Sequence, residues 1–353
     1  MGLAVNKAPY ITQTARIILM SEGDISLRGW IETGGRVADM EDIRQLTEEG
    51  PGVLSSCGGE FLLRWDDCVA RDHFGIMPGD CPAGRIVCNC REVGVIEPAV
   101  PEMSLSEAIR TAVRLRSGPG AVCAFSGGVD SALVAALAGS ECVAIGLEGS
   151  HDLRHAKEVA EALGLSLTEV TVPEERVEEA LSAVLPVIPR VTPVDAAVAT
   201  TLFFVAEWAG KQGYERILGG HSADELFGGY ARYLETDDLA SEMDKDIAGL
   251  PLQCERDQAV ASLHDVWFSE PYMDMRVVRA AGAIPPDERV KDGVRKLPLR
   301  TVASEVMPDE IACYEKKAMQ YGSGIWKAIQ RLARRNGYRH VGDWLDVMDR
   351  NHG

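Results

Sequence analysis

Residues 126–131 read Ser-Gly-Gly-Val-Asp-Ser and follow directly on the apolar run Ala121, Val122, Cys123, Ala124, Phe125. The arrangement predicts a strand that delivers a tight, small-residue loop into a helix. Gly127 and Gly128 allow a sharp turn and let amide N–H groups approach an anion closely. A helix opening near Asp130 aims the positive end of its dipole at the same anion. Ser126 and Ser131 add hydroxyl donors, and Asp130 can hold a divalent cation that neutralises a polyphosphate. The set suits pyrophosphate. It is not a Walker A loop, because no Gly-Lys-Ser/Thr follows, and it is not a dinucleotide fingerprint.

A second Gly-rich string, Leu218-Gly-Gly-His-Ser-Ala-Asp-Glu-Leu-Phe-Gly-Gly-Tyr230, again reads as a strand running into a turn and a helix start. Asp224 and Glu225 fall in the first helical turn, where carboxylates favour the dipole. Two facing loops that each carry an aspartate are also what a magnesium-bound triphosphate needs.

The elements around these loops are legible from their patterning. From Gly120 onward, strands and helices alternate: a helix over 131–138, a strand over 142–147, a helix over 152–163 and a strand over 166–172. A long helix over 193–212 and a short strand over 216–218 follow. Such alternation predicts an α/β fold with a parallel, doubly wound sheet covered on both faces, whose ligands sit beyond the carboxyl ends of the strands. Beyond Leu226 the chain reads as mostly helical.

The first ninety-odd residues differ, with short β-prone runs at 16–20, 25–31, 60–65 and 85–88 and a helix over 40–49. They predict a smaller, mainly β domain over 1–97, a linker over 98–104 and a larger domain over 105–353. Ser104 with Glu107 forms a capping box for the helix that opens the larger domain.

Composition narrows the partners. With 36 Lys plus Arg against 54 Asp plus Glu among 353 residues, the net charge is −18. That surface repels nucleic acid, and the short basic stretch Arg331, Arg334, Arg335 reads as a solvated helix face. No apolar run reaches bilayer length, and no secretory leader is evident. Nine cysteines, an odd number, do not form a secreted disulfide framework. Cys88 and Cys90 lack a second pair at metal-ligand spacing. We expect a cytoplasmic protein without a nucleic-acid or membrane partner.

The 126–131 loop resembles the pyrophosphate loop of the ATP pyrophosphatases, whose domains are adenine nucleotide α-hydrolase-like. The 218–230 string is similar to the Gly-x-Gly-Ala/Ser-Asp-Glu-Leu-Phe-Gly-Gly-Tyr signature of the asparagine synthetase family. Residues 146–160 resemble that family's nucleotide-binding strand and helix, and Pro271-Tyr272-Met273-Asp274 its Pro-Phe-Leu-Asp. The resemblance covers roughly residues 105–330. It implies that Ser126, Gly127, Gly128, Asp130 and Ser131 hold the pyrophosphate of ATP, and that Phe125, Ile145 and Gly220 contact the adenosine. Asp130 and Asp224 would bind Mg2+. Lys316, or its neighbour Lys317, would stabilise charge on the adenylate or in amide formation.

The implied reaction adenylates a carboxylate, aspartate above all, with release of pyrophosphate, and then transfers the acyl group to ammonia, giving asparagine and AMP. Two features depart from the pattern. Glutamine-dependent asparagine synthetases carry a glutamate between the small residues of the second loop, and β-lactam synthetases a tyrosine, where this chain has His221. Histidine there could act as general base toward the attacking amine or as a hydrogen-bonding loop residue.

Residues 58–78 are similar to a segment of the family's glutaminase domain, yet residue 2 is Gly and no cysteine precedes Cys57. Glutamine hydrolysis is therefore not expected. The nitrogen would come as free ammonia, from a separate amidotransferase subunit, or from an amine carried by the substrate, as in β-lactam synthetases. The alternatives are a specialised amide ligase using another acid or amine, and a non-catalytic nucleotide-binding regulator.

Overall fold

The structure, a computed structural model, describes residues 20–22, 25–315 and 322–352. Two sheets organise the chain. The first contains β1 (Met20–Glu22), β2 (Ile25–Thr33), β3 (Arg36–Val37), β4 (Gly58–Trp65), β5 (Cys68–Arg71), β6 (Arg85–Cys88) and β7 (Arg91–Val95), in the order β1-β2-β4-β5-β6-β7 with β3 beside β2. Every pairing is antiparallel. One face buries Leu27, Ile31, Phe61, Leu63 and Ile86 against Ile43 and Leu46 of the helix Met40–Glu49. That helix starts where expected, with Asp39 and Asp42 closing a capping box. The sequence reading did not include β5 and β7. Cys88 is joined to Cys68 by a disulfide across β5 and β6, and Cys90 is exposed. The Cys88/Cys90 pair is thus split between a cross-strand bond and a free thiol.

The second sheet is wholly parallel and runs β10 (Leu167–Val172), β9 (Cys142–Leu147), β8 (Ala121–Ala124), β11 (Arg216–Leu218), β12 (Trp267–Ser269). Alternate residues serve opposite faces. Val122, Val143, Ile145 and Ile217 pack under the long helix Pro193–Gln212 with Phe203 and Phe204. Cys123, Ala144 and Leu218 pack on the other face against Leu133, Val134, Ala156 and Val159. The fold is thus the expected α/β class with a doubly wound parallel sheet and a mostly helical carboxyl-terminal part. The edge strand β12 was not anticipated, because no Gly-rich loop follows it as one follows the equally short β11.

The order of strands matters for function. β8 is followed in sequence by β9 on one side, while β11 returns to its other side with Leu218 opposite Cys123. The chain therefore leaves in opposite directions from β8 and β11. That opens a crevice beyond their carboxyl ends, at the topological switch point.

A buried ion network ties the two sheets together. Arg116, the last residue of the capped helix Leu105–Arg116, donates to Glu60 of β4 at 2.6 Å and to Asp274 at 2.9 Å. Arg276 pairs with Asp274 at 3.0 Å and with Glu32 of β2. Glu60 also accepts the Ser269 hydroxyl at 2.6 Å and the Glu270 N–H at 3.0 Å. All these side chains are buried, so each charge depends on its partners: removing one from such a cluster costs about 3–5 kcal/mol. Apolar contact reinforces the junction, with Leu62, Met77 and Cys81 clustering around Trp267.

Candidate active site

The loop after β8 is built around a glycine that only glycine can be. Gly127 has φ +73°, and a Cβ there would lie 2.8 Å from His155 Cδ2. Its carbonyl oxygen lies 3.1 Å from His155 Nε2, and the His155 ring stacks on Tyr314 at 4.1 Å. Gly127 consequently makes the turn and is not part of the cavity wall, whereas Ser126, Gly128, Asp130 and Ser131 are. Ser126 and Ser131 do not point outward as free donors: their hydroxyl oxygens lie 2.9 Å apart, and Ser131 Oγ accepts the Ser126 N–H at 3.2 Å. Gly128 is the N-cap of the helix Val129–Ala138 and makes no side-chain cap bond. A glycine cap gives that end of the helix no side-chain acceptor of its own, the arrangement found where helix N-termini take anions.

The loop after β11 is pressed against it. A Cβ on Gly220 would lie 2.7 Å from Asp130 Cβ and 2.9 Å from the Ser131 nitrogen, so a larger residue would push the two loops apart. A Cβ on Gly219 would collide with His221 Nδ1, and one on Gly229 with the Asp224 carboxylate. Ser222 adopts φ +68°, unusual for a residue with a side chain, and starts the short helix Ala223–Phe227. Glu225 is buried and accepts bonds from Tyr230 Oη and Gln253 Nε2.

These constraints bring Asp130 and Asp224 together around one ammonium. Lys296 Nζ lies 2.7 and 2.6 Å from the two Asp130 oxygens and 2.7 Å from Asp224 Oδ1. Lys296 is buried and adopts φ +58°. Burial alone would lower its ammonium, but Asp130 and Asp224 overcome that and hold it above its ordinary range. Sequence reasoning missed Lys296, which sits 166 residues from Asp130 in a segment without a motif.

The two convergent carboxylates are hard-oxygen donors that Mg2+ could share only by displacing the Lys296 ammonium between them, with phosphate and water oxygens completing its shell. Among the described residues no cluster of three or more His, Cys, Asp or Glu forms a self-sufficient metal cage.

The cavity has a volume of about 820 Å³. Phe125 and Ile145, both nearly buried, line it beside Ala124 and Val143, an apolar wall fit for a flat ring. Gly220, His221 and Asp224 line it from the second loop. The His221 ring packs edge-on to Phe268 at 5.2 Å, with Nε2 3.8 Å from Asp257 Oδ2 and Nδ1 without a hydrogen-bond partner. Burial, partly opposed by Asp257, lowers its pKa, so the ring is neutral at neutral pH. Tyr272 donates to the Asp130 carbonyl at 2.9 Å, which ties the Pro271–Asp274 segment to the first loop. Lys316 and Lys317 lie outside the described residues.

The sequence of this chain matches the asparagine synthase family model over residues 104–263 and 248–340. The chain belongs to the asparagine synthase family. It is 32% identical over 294 residues to a glutamine-hydrolyzing asparagine synthetase 1 of Methanocaldococcus jannaschii, a match spanning 70% of this chain and 54% of the relative. It is 26% identical over 251 residues to the carboxyethyl-arginine beta-lactam-synthase of Streptomyces clavuligerus, covering 68% of this chain and 48% of that protein. Asparagine synthetase B of Escherichia coli is 27% identical over 190 residues, covering 51% of this chain and 34% of that protein. The chain thus spans about half or less of the length of these asparagine synthase relatives. No helix among the described residues is long and apolar enough to cross a membrane.

Proposed function

We propose that this chain is an ATP-dependent amide-forming ligase. It joins aspartate, or a similar carboxylate, to ammonia through an acyl-adenylate. The observation that carries the reading is the convergence of Asp130 and Asp224 at the switch point, beside the glycine-capped N-terminus of a helix. In the first half-reaction a carboxylate oxygen attacks the α-phosphorus of ATP, and the bond to the bridging oxygen breaks with its electron pair leaving on pyrophosphate. Ser126, Gly128, Asp130 and Ser131 hold the departing group, and Gly127 shapes the turn that presents it. The Ser126–Ser131 hydroxyl pair exchanges its mutual contact for phosphate oxygens at that point.

Phe125, Ile145 and Gly220 take the adenosine. Asp130 and Asp224 would hold Mg2+, which neutralises charge on the phosphates when bound. Lys296 keeps that pair of carboxylates compensated. Lys316, with Lys317 as its alternative, remains our assignment for the cation that steadies the adenylate.

In the second half-reaction the amine attacks the acyl carbon, the C–O bond to the phosphate breaks, and AMP leaves. His221, whose ring is neutral, takes a proton from the tetrahedral adduct. Residues 1–97 act in this reading as a buttress without glutaminase activity, joined by the 98–104 linker to the catalytic part over 105–353. Support for the buttress is the pairing of Glu32 and Glu60 with Arg276 and Arg116. Nitrogen then arrives as ammonia or an amine, free or from a separate amidotransferase subunit, and the reaction runs in the cytoplasm.

A specialised ligase with another acid or amine is favoured by one observation, the histidine at position 221. Product analysis separates the two. Incubation with ATP, ammonium and each amino acid should yield asparagine from aspartate. A product formed only from another acid shifts the assignment to that acid, and pyrophosphate release with none of them refutes the ligase.

A further inference from the structure

Beyond the phosphate loops the cavity has an acidic end that adenylation leaves unused. Glu270, the residue after β12, lines it and is only 2% exposed. Its Oε2 accepts the Ser222 hydroxyl at 3.1 Å, and its Oε1 meets no nitrogen or oxygen donor, which leaves the Cys254 thiol as the other group that bonds the carboxyl. A buried carboxyl group bonded only by a hydroxyl and a weak thiol donor is costly to ionise, so it is set for a ligand that brings positive charge and stronger donors.

The groups that face it are Asp257 and Cys254 from the helix Leu250–Ser262, Ser222 from the second loop, and Glu60 from the first sheet. None of them is a cation. The nearby Arg256 is engaged with Asp195 at 2.8 Å and Asp257 at 2.7 Å, and Arg116 is held by Glu60 and Asp274. Burial, then the neighbouring Asp257, pushes the Glu270 carboxyl up to about 8. At neutral pH it keeps its proton until a positive group arrives. Its backbone is pinned by Glu60, which accepts both the Glu270 N–H and the Ser269 hydroxyl. The carboxyl is therefore held in place before any ligand enters.

We infer that Glu270, with Asp257 beside it, forms a cation subsite that takes the nitrogen nucleophile as ammonium and removes its proton before attack. This rests on the amide-ligase reading. Ammonium enters as the Glu270 proton is released to solvent, and the freed carboxylate then accepts one N–H proton. The resulting ammonia attacks the acyl-adenylate, and the second proton passes from the adduct to His221 as AMP leaves with the C–O electron pair. Neutral nucleophiles do not need the subsite.

Hydroxylamine is neutral where ammonium is charged, and it traps acyl-adenylates as hydroxamates. In Glu270→Gln the rate of amide formation from ammonium should fall about tenfold or more, the scale of one lost charge-assisted contact, while hydroxamate formation holds. Equal loss with both nucleophiles, or loss with neither, overturns the subsite. The wild type gives a second readout should the variant fold poorly. Its KM for total ammonium should stop falling once the pH passes about 8, where Glu270 is ionised. A KM that keeps falling until ammonium itself deprotonates means that ammonia is the species bound, and overturns the proposal. Acid-dependent ATP–pyrophosphate exchange, which needs no nitrogen, separates the two claims: its absence sinks the ligase reading, whereas intact exchange with an unselective Glu270→Gln sinks only this one.

Discussion

Replacing Lys296 by methionine probes the charge balance of the site before any ligand arrives. Asp130 and Asp224 each place an oxygen 2.6–2.7 Å from the same nitrogen. Those oxygens therefore lie no more than about 5.4 Å apart. With the ammonium removed, two such charges repel by about 3 kcal/mol at an effective dielectric of about 20. The Asp224 side chain is 44% exposed, so water screens part of this, and relief of Lys296 burial returns some more. The net loss should be about 2 kcal/mol, roughly a thirtyfold shift in the folding equilibrium.

Urea unfolding of the ligand-free protein measures it directly, with and without magnesium chloride. Lys296→Met should be destabilised by that amount, and magnesium should recover at least half of the loss while moving the wild type far less. A variant as stable as the wild type without magnesium would refute the charge argument. One destabilised but indifferent to magnesium would show that the two aspartates do not form a divalent-cation site.

Three other outcomes follow from the geometry. Glu60→Ala should cost about 3–5 kcal/mol in denaturant unfolding, because it leaves the buried Arg116 with Asp274 as its one carboxylate partner and frees the Glu270 amide. Burial opposes the ionised form of Glu60, but Arg116 and its hydrogen bonds hold its pKa down, so its contribution is full at neutral pH and is lost as the pH falls through that depressed value. Glu270 works the other way: its folded pKa of about 8 lies above the unfolded value of about 4.3. It stabilises the fold fully below the unfolded value, and that stability is lost as the pH rises toward 8. Melting temperatures across this window should fall less steeply in Glu270→Gln. Gly220→Ala forces a Cβ to within 2.7 Å of Asp130 Cβ; the loop displacement should cut ATP–pyrophosphate exchange by about 100-fold, and an unaffected rate would show that the loop contact is not needed.

What could be read from the sequence was local. The 126–131 and 218–230 strings announce themselves because strand, turn and helix cap are contiguous, and the Ser104 capping box needs only four residues. The parallel sheet was legible for the same reason, through alternating apolar runs. Lys296, Glu270 and Glu60 were not, because their meaning lies in partners up to 210 residues away. The internal pairing of Ser126 with Ser131, the withdrawal of Gly127 from the cavity wall and the Cys68–Cys88 bond likewise depend on packing that no spacing reveals. His221 was visible as a departure, yet its recess behind Gly219 and its approach to Asp257 required the fold.

Acid-dependent ATP–pyrophosphate exchange tests the central claim most directly, since it isolates adenylation from nitrogen transfer. The wild type should incorporate labelled pyrophosphate into ATP only when the correct carboxylic acid and magnesium are present. Asp130→Asn and Asp224→Asn should each lower the rate by about a hundredfold or more, as expected when a group that stabilises transition-state charge is lost. No exchange with any carboxylic acid, or undiminished exchange in both variants, would contradict the account.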